Sequence, residues 1–146
     1  MKKYGFLFMV LFLLSVAFSP FAGADESSET RIRLSFPGGE AIVVLDDDPA
    51  AHDFLSLLPL TLRFEDYNRT EKISYLPRRL DTGRSPDSCD PSEGSFTYYA
   101  PWGNLAVFYR DFRHSEGLVP LGRVESGLED FARMGDGVSV RLERME

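Results

Sequence analysis

The residues of this chain with the clearest capacity for binding chemistry are three arginines. Arg78 and Arg79 form a basic pair in an acidic chain, and Arg110 directly follows an aromatic segment. A guanidinium presents planar donors that hold a carboxylate or a backbone carbonyl by forked hydrogen bonds. We predict that these arginines contribute to a ligand site. The alternative is that they are solvated surface residues that balance neighbouring Asp and Glu side chains.

Aromatic side chains around the single tryptophan form the second candidate contact surface. Trp102 lies in the turn sequence Pro101–Asn104, where its face can stack on a ligand or pack the turn itself. The flanking segments resemble strands, so neighbouring aromatic residues such as Tyr98 and Tyr99 alternate between the core and the outside. The predicted ligand-binding residues are therefore Arg78, Arg79, Tyr99, Trp102 and Arg110.

The remaining chemically active residues do not indicate a catalytic or metal centre. His52, Cys89, His114 and Met134 are ligand types of a copper site, but such sites gather their ligands closely and these four are scattered along the chain. The acidic segment Asp46–Asp48 is not followed by the recurring oxygen ligands of a calcium loop, and a helix start explains it better. No nucleophile sequence accompanies His52. We expect no catalytic residue, no metal and no cofactor.

The N-terminus has the organisation of a secretory signal peptide. Lys2 and Lys3 precede an apolar segment, Tyr4–Phe18, and small residues lead to a cleavage position after Ala24. The alternative, a transmembrane anchor, calls for a longer uninterrupted apolar segment. We predict that residues 1–24 are removed and that the protein is exported to the periplasm or the extracellular space.

The mature chain is strongly acidic. Removing Lys2 and Lys3 from the 16 basic residues leaves 14 against 23 acidic residues, a formal net charge of −9. Such a surface repels phosphate backbones and anionic lipids, so we expect neither nucleic acid nor, after cleavage, a membrane as a partner. Cys89 is the single cysteine, which excludes an internal disulfide. Its acidic neighbours disfavour the thiolate, which favours an incidental loop residue over a reactive or intermolecular thiol.

Hydrophobic periodicity predicts one mainly β domain over residues 31–144, after a polar leader at residues 25–30 that we expect to be disordered. Segments with alternating apolar residues, or rich in β-branched and aromatic residues, are separated by turn residues. They predict strands at Arg31–Phe36, Ala41–Leu45, Leu60–Phe64, Ile73–Leu76, Phe96–Tyr99, Leu105–Tyr109, Leu118–Val124 and Val138–Leu142. The stretch from Asp81 to Gly94 holds little to bury and predicts a long loop of the kind that is usually functional or mobile.

Two short helices interrupt the predicted strands. Asp48 suits an N-cap and Pro49 the first helical position, so a helix begins there and ends before Pro59. Ser126 and Glu129 have capping-box spacing and predict a second helix. About eight strands and two short helices indicate a closed antiparallel β-barrel with helix-capped ends, in which the first and last strands pair.

The order of these elements and four of their motifs resemble the cyclophilin-like fold. The match is closest to the small bacterial and archaeal cyclophilin-like domain proteins and covers nearly all of residues 31–144. The motifs that carry it are Glu71–Ile73, Leu76–Pro77, Tyr98–Asn104 and Gly122–Gly127. The resemblance implies a cyclophilin-like barrel that binds an extended peptide or a small molecule in a groove.

The resemblance supports the fold of the true cyclophilins better than it supports their activity. Those proteins are peptidyl-prolyl isomerases that polarise the prolyl amide with an arginine and a glutamine. Tyr75–Leu80 supplies an arginine, but the glutamine motif is absent and the chain contains no glutamine. We therefore expect an exported, non-catalytic domain that binds a peptide or small ligand. The alternatives are a periplasmic isomerase with a rearranged active site and a structural module of a larger envelope assembly.

Overall fold

The computed structural model describes residues 28–146. The predicted signal peptide, residues 1–24, and residues 25–27 of the predicted leader lie outside the described residues. The first strand begins at Thr30, within the segment predicted as the leader. In chain order the elements are β1 (Thr30–Phe36), β2 (Gly39–Leu45), α1 (Pro49–Ser56), β3 (Leu60–Tyr67), β4 (Glu71–Tyr75), β5 (Ser88–Cys89), β6 (Ser95–Tyr99), β7 (Asn104–Phe108), β8 (Ser115–Glu116), β9 (Leu118–Ser126), α2 (Leu128–Ala132) and β10 (Val138–Arg144).

Eight strands close into an antiparallel barrel in the order β1, β10, β3, β4, β7, β6, β9, β2. The first and last strands complete it, pairing from Ile32 with Arg144 to Ser35 with Arg141. Closure leaves no barrel strand with an unpaired edge. The predictions of a mainly β fold, of a closed barrel of about eight strands and of pairing between the chain ends are confirmed.

The barrel interior is filled by alternate residues of its strands. In β1 the buried residues are Ile32, Leu34 and Phe36, and the residues between them are half-buried. Lys72 of β4 is a charged exception, because it is only 3% exposed and its ammonium donates a hydrogen bond to the carbonyl of Met134 at 2.8 Å. A buried ammonium requires such partners, so Lys72 links β4 to the segment that follows α2.

The two helices cap opposite ends of the barrel. They follow the ends of β2 and β9, which are antiparallel neighbours, so the two chain exits lie at opposite ends. Phe54 of α1 packs edge-to-face on Phe96 with ring centroids 5.5 Å apart, and Phe131 of α2 packs on Phe64 at 5.2 Å. The prediction of two short capping helices is confirmed. No helix within residues 28–146 combines the length and the apolar character needed to cross a membrane.

The two helix starts differ from each other. At α1 the carboxylate of Asp48 accepts a hydrogen bond from the amide of Ala51 at 2.9 Å, as predicted for an N-cap ahead of a proline. At α2 the capping-box prediction is wrong, because Gly127 is the N-cap and no side chain of residues 28–146 caps the helix. Ser126 instead pairs with Ile42 as the last residue of β9, so its backbone belongs to the sheet.

The long loop predicted between Asp81 and Gly94 contains a short strand that the sequence did not indicate. β5 pairs with β8, Ser88 opposite Glu116 and Cys89 opposite Ser115, in a separate two-stranded sheet. Two further backbone hydrogen bonds connect the same regions, from Phe112 to Pro91 at 3.0 Å and from Gly117 to Asp87 at 2.8 Å. The loop is therefore held against residues 109–117.

Close packing at Gly122 yields a first prediction. A β-carbon there would lie 2.1 Å from the carbonyl oxygen of Val44 on the neighbouring strand, so Gly122→Ala forces the two strands apart. We expect the free energy of unfolding, measured by urea denaturation, to fall by about 2 kcal/mol or more. The matched control is Gly135→Ala, which meets no atom within 4 Å and should change stability by less than about 0.5 kcal/mol. Equal effects of the two substitutions would contradict the packing account.

Candidate binding groove

A groove with a volume of about 380 Å³ lies on the outer face of the barrel. Its lining comes from β4, β7 and β9, from the ends of β3 and β6 with the turns that follow them, and from the segment 109–117. The apolar lining residues are Ile73, Phe108, Phe112 and Leu118, together with the aromatic residues Tyr67, Tyr99 and Trp102. The polar and charged lining residues are Asn68, Glu71, Asn104, Arg113, His114, Ser115 and Glu116.

The groove exists because β7 is buried on both faces. Leu105 and Val107 belong to the main core, whereas Ala106 and Phe108 form a second apolar cluster with Leu118 on the outside of the barrel. The segment 109–117 crosses this outer face after β7 ends. The segment 109–117 therefore covers the outer cluster only in part, and the uncovered part forms the groove.

Three aromatic rings meet at the end of the groove nearest the β6–β7 turn. Trp102 contacts Tyr67 and Tyr99 edge-to-face, with ring centroids 5.8 Å and 5.4 Å apart. The turn is fixed by a hydrogen bond of 2.9 Å from the amide of Gly103 to the carbonyl of Tyr99. Trp102 nevertheless stays 48% exposed and Tyr67 38% exposed. Edge-to-face packing holds these rings in position and leaves ring surface open to a ligand.

Glu71 lines the same groove as these aromatic residues and carries a carboxylate. It pairs across the sheet with Tyr67 on one side and with Phe108 on the other. Burial raises the pKa of Glu71 to about 7, and the neighbouring carboxylate of Asp66 adds to the effect. Within residues 28–146 the Glu71 side chain has no ion pair and no hydrogen bond. It is therefore a partly desolvated acid whose charge is uncompensated.

The segment 109–117 contributes a histidine held between two carboxylates. The His114 imidazole lies 2.9 Å from Asp90 through Nδ1 and 3.3 Å from Glu116 through Nε2. The contact with Asp90, and then that with Glu116, raises the pKa of His114. The adjacent Arg113 guanidinium lies over the ring of Phe112, 4.6 Å from its centroid. This side of the groove thus carries both signs of charge.

The five residues predicted as a ligand site separate into two groups. Tyr99 and Trp102 line the groove, whereas Arg78, Arg79 and Arg110 do not. Arg110 is an exposed residue just beyond β7. The structure therefore brings the aromatic candidates together and leaves the three guanidiniums outside their groove, so a ligand-binding role for the arginines stays a prediction.

The two paired arginines have structural partners instead. The Arg78 guanidinium donates two hydrogen bonds to Asp53 of α1, at 2.7 Å and 3.0 Å, and holds the pKa of that carboxyl below its usual range. Arg79 donates to the carbonyl of Ala100 at 2.7 Å, on the turn that carries Trp102. Arg78 therefore links the segment after β4 to α1, and Arg79 supports the Trp102 turn from outside the groove.

Several lining residues were missed by the sequence analysis, above all Glu71. A signal for it existed in the hairpin between β3 and β4. Asn68 and Arg69 adopt the left-handed conformation, and the tight turn sets Tyr67 opposite Glu71. The sequence indicates Glu71 only within a family motif and predicts that the strand begins at Ile73. Among residues 28–146, no group of three or more His, Cys, Asp or Glu side chains is arranged to hold a metal ion.

Comparisons with known proteins agree on the fold. A family model described as the Cyclophilin-like family matches residues 34–143. Among solved structures, the solution structure of a hypothetical protein from Archaeoglobus fulgidus superposes with a TM-score of 0.60 at 21% identity, covering 80% of this chain and 95% of that chain. At this identity the likeness shows the fold alone. No curated protein matches the chain.

The raised pKa of Glu71 yields a prediction for stability against pH. The unfolded chain ionises this residue near its usual value of 4.5, and the folded protein near 7. Glu71 therefore lowers the stability of the folded state progressively as pH rises from 4.5 to about 7. We expect Glu71→Gln to gain stability relative to wild type across that window, with a constant difference above it, in urea denaturation at each pH. Glu65→Gln, which removes an exposed carboxylate from β3, is the control, and an equal gain there would contradict the assignment.

The position of His114 yields a prediction for its titration. Asp90 and Glu116 stabilise the imidazolium, so its stabilising contribution is complete below the usual value of 6.5 and is lost as pH rises through the higher folded pKa. In an NMR titration of the two histidines we expect Asp90→Asn to lower the pKa of His114. Asp47→Asn removes the partner of His52 and should leave His114 unchanged. An unaltered His114 pKa in Asp90→Asn would contradict the contact.

Proposed function

Since this chain belongs to the cyclophilin-like family, we propose that it is an exported domain that binds an extended peptide or a small ligand in its outer-face groove without catalysing a reaction. The observation that carries this proposal is the convergence of aromatic side chains on one groove. Three of them, Tyr67, Trp102 and Phe112, are more than a third exposed. Exposed apolar rings that gather in a concave site rimmed by polar groups are typical of a binding surface.

The shape and connectivity of the site bear on what it binds. A volume of about 380 Å³ lies within the range of small-molecule sites and accommodates one or two side chains of a peptide. The barrel is closed, so a peptide cannot add as a further strand to it. The affinity then comes from ligand side chains inserted between two groups of rings. One group is Trp102 with Tyr67 and Tyr99. The other is the stacked pair Phe108 and Phe112, whose ring centroids are 6.3 Å apart.

The hydrogen bonds that Arg78 and Arg79 make within the protein favour a binding function over catalysis. An isomerase of the cyclophilin type needs a guanidinium beside the prolyl amide, but Arg78 is bound to Asp53 and Arg79 to the carbonyl of Ala100. The arginine within the groove lining is Arg113. An isomerase with a rearranged site would therefore have to use Arg113.

Export rests on the features of the N-terminal sequence. The basic residues, apolar segment and small residues of 1–24 support removal of a signal peptide. The formal net charge of −9 for the remaining chain suits a soluble domain that avoids nucleic acid and anionic membrane surfaces. Amino-terminal sequencing of the protein secreted by its host should begin at Asp25.

The single tryptophan gives a direct test of binding. Because Trp102 is the only tryptophan and lies in the groove, its fluorescence reports groove occupancy. In titrations with acetylated and amidated pentapeptides of varied central residue, we expect saturable changes in emission for a subset of peptides. Phe112→Ala should weaken their affinity about fivefold or more, since it removes an aromatic wall. Tyr75→Ala, an exposed aromatic residue outside the groove lining, is the matched control.

Two results would overturn this proposal. If no peptide changes Trp102 emission at millimolar concentration, or if Tyr75→Ala weakens binding as much as Phe112→Ala, the groove is not the binding site. If proline-containing peptides are isomerised in a protease-coupled assay and Arg113→Lys abolishes that catalysis, the domain is an enzyme.

A further inference from the structure

Building on the proposed binding function, we propose that the groove selects a ligand carrying a positive charge, a protonated amine or quaternary ammonium group. The carboxylate of Glu71 and the faces of Tyr67 and Trp102 receive this group. All three side chains line the groove.

The carboxylate of Glu71 is uncompensated among the described residues. Glu71 pairs with Tyr67 on one neighbouring strand and with Phe108 on the other, and all three residues line the groove. No cation of residues 28–146 pairs with it, whereas Asp66 nearby has Lys72 at 3.5 Å. Removing a carboxylate from water without a partner is costly, and the pKa of about 7 reflects that cost. A cationic group bound against Glu71 relieves it.

The aromatic rings at one end of the groove suit a cation. Trp102 contacts Tyr67 and Tyr99 edge-to-face, so its ring stands at a steep angle to each of theirs. Aromatic rings, tryptophan above all, attract cations through their negative faces. The protein uses the same attraction internally, since the Arg113 guanidinium lies 4.6 Å from the ring centroid of Phe112.

The other charges around Glu71 also favour a cation. From β3, Asp66 raises the pKa of Glu71 and so adds negative potential. From the segment 109–117, His114 is flanked by Asp90 and Glu116, two carboxylates for one imidazolium. Arg113 is the remaining positive charge of the lining, and it is exposed and stacked on Phe112. The interior of the groove therefore favours a cation over an anion.

Recognition of a cation by Glu71 makes binding depend on pH. The cation binds the ionised carboxylate, so binding releases the proton that Glu71 holds at low pH. Affinity should therefore rise as pH increases through about 7. A neutral ligand that accepts a hydrogen bond from protonated Glu71 would show the opposite dependence. The direction of the pH dependence thus distinguishes the two chemical classes.

The test compares two pentapeptides that differ only in a central lysine or norleucine, which have side chains of similar length with and without the ammonium group. Binding is followed by Trp102 fluorescence at pH 5.5 and pH 8 in buffer of low ionic strength. At pH 8 we expect the lysine peptide to bind about tenfold more tightly than the norleucine peptide. The preference should shrink at pH 5.5 and in Glu71→Gln, where only the attraction of the aromatic rings remains. Glu65→Gln, outside the groove, should retain it.

A second probe keeps the outcome independent of peptide sequence. Tetramethylammonium chloride at millimolar concentration should shift the amide resonances of Tyr67 and Glu71 and the indole resonance of Trp102. Sodium chloride at the same ionic strength should not. Binding of tetramethylammonium without binding of either peptide would support the cation site and reject the peptide part of the proposed function.

The remaining outcomes overturn the cation proposal. If the lysine and norleucine peptides bind equally and tetramethylammonium has no effect, the groove binds peptides but does not select a positive charge. If affinity falls with rising pH, the ligand is a neutral group that accepts a hydrogen bond from protonated Glu71. If the pH dependence survives in Glu71→Gln and is lost in His114→Gln, the titrating group is His114. Absence of any binding overturns both the function and this inference.

Discussion

The contact between the loop 81–94 and the segment 109–117 is the constraint on which the groove depends. β5 and β8 pair over two residues each, and the amides of Phe112 and Gly117 bond to carbonyls of the loop. These bonds hold the segment across the outer face of β7, where Phe108 would otherwise meet water. A barrel without this crossing would have an interior core and a bare outer sheet. With it, the outer face becomes a partly roofed apolar groove.

The same acidic chain places carboxylates in three different environments. Asp53 receives the Arg78 guanidinium, which lowers its pKa and links α1 to the following segment. Asp66 accepts hydrogen bonds from Tyr109 and from the amide of Arg69 and lies beside Lys72, so its pKa is also lowered despite burial. Glu71 is partly buried without a cation or hydrogen-bond donor beside it in the described residues, so its pKa is raised. The absence of a partner within the described residues distinguishes Glu71 from these two aspartates, and for this reason we propose it as the group that meets a ligand.

The barrel was predictable because its physical causes are local. Period-two alternation and turn residues predicted the eight barrel strands, and the Asp48–Pro49 start predicted α1. β5 and β8 were not predictable, since two residues carry no periodicity. The capping box at Ser126 failed because pairing of β9 with β2 overrides local capping chemistry. The site was harder still, because the partner of Arg78 lies 25 residues away in sequence and the desolvation of Glu71 arises from tertiary packing.

The most direct measurement is a set of intermolecular nuclear Overhauser effects between a bound ligand and the aromatic protons of the protein. We expect contacts from the ligand to the rings of Tyr67, Trp102 and Phe112, with its cationic group closest to Glu71. A second, more open cavity of about 540 Å³ lies between Glu93 and Asp130 on another part of the surface. Contacts confined to that cavity, with none to the Trp102 ring, would contradict the account.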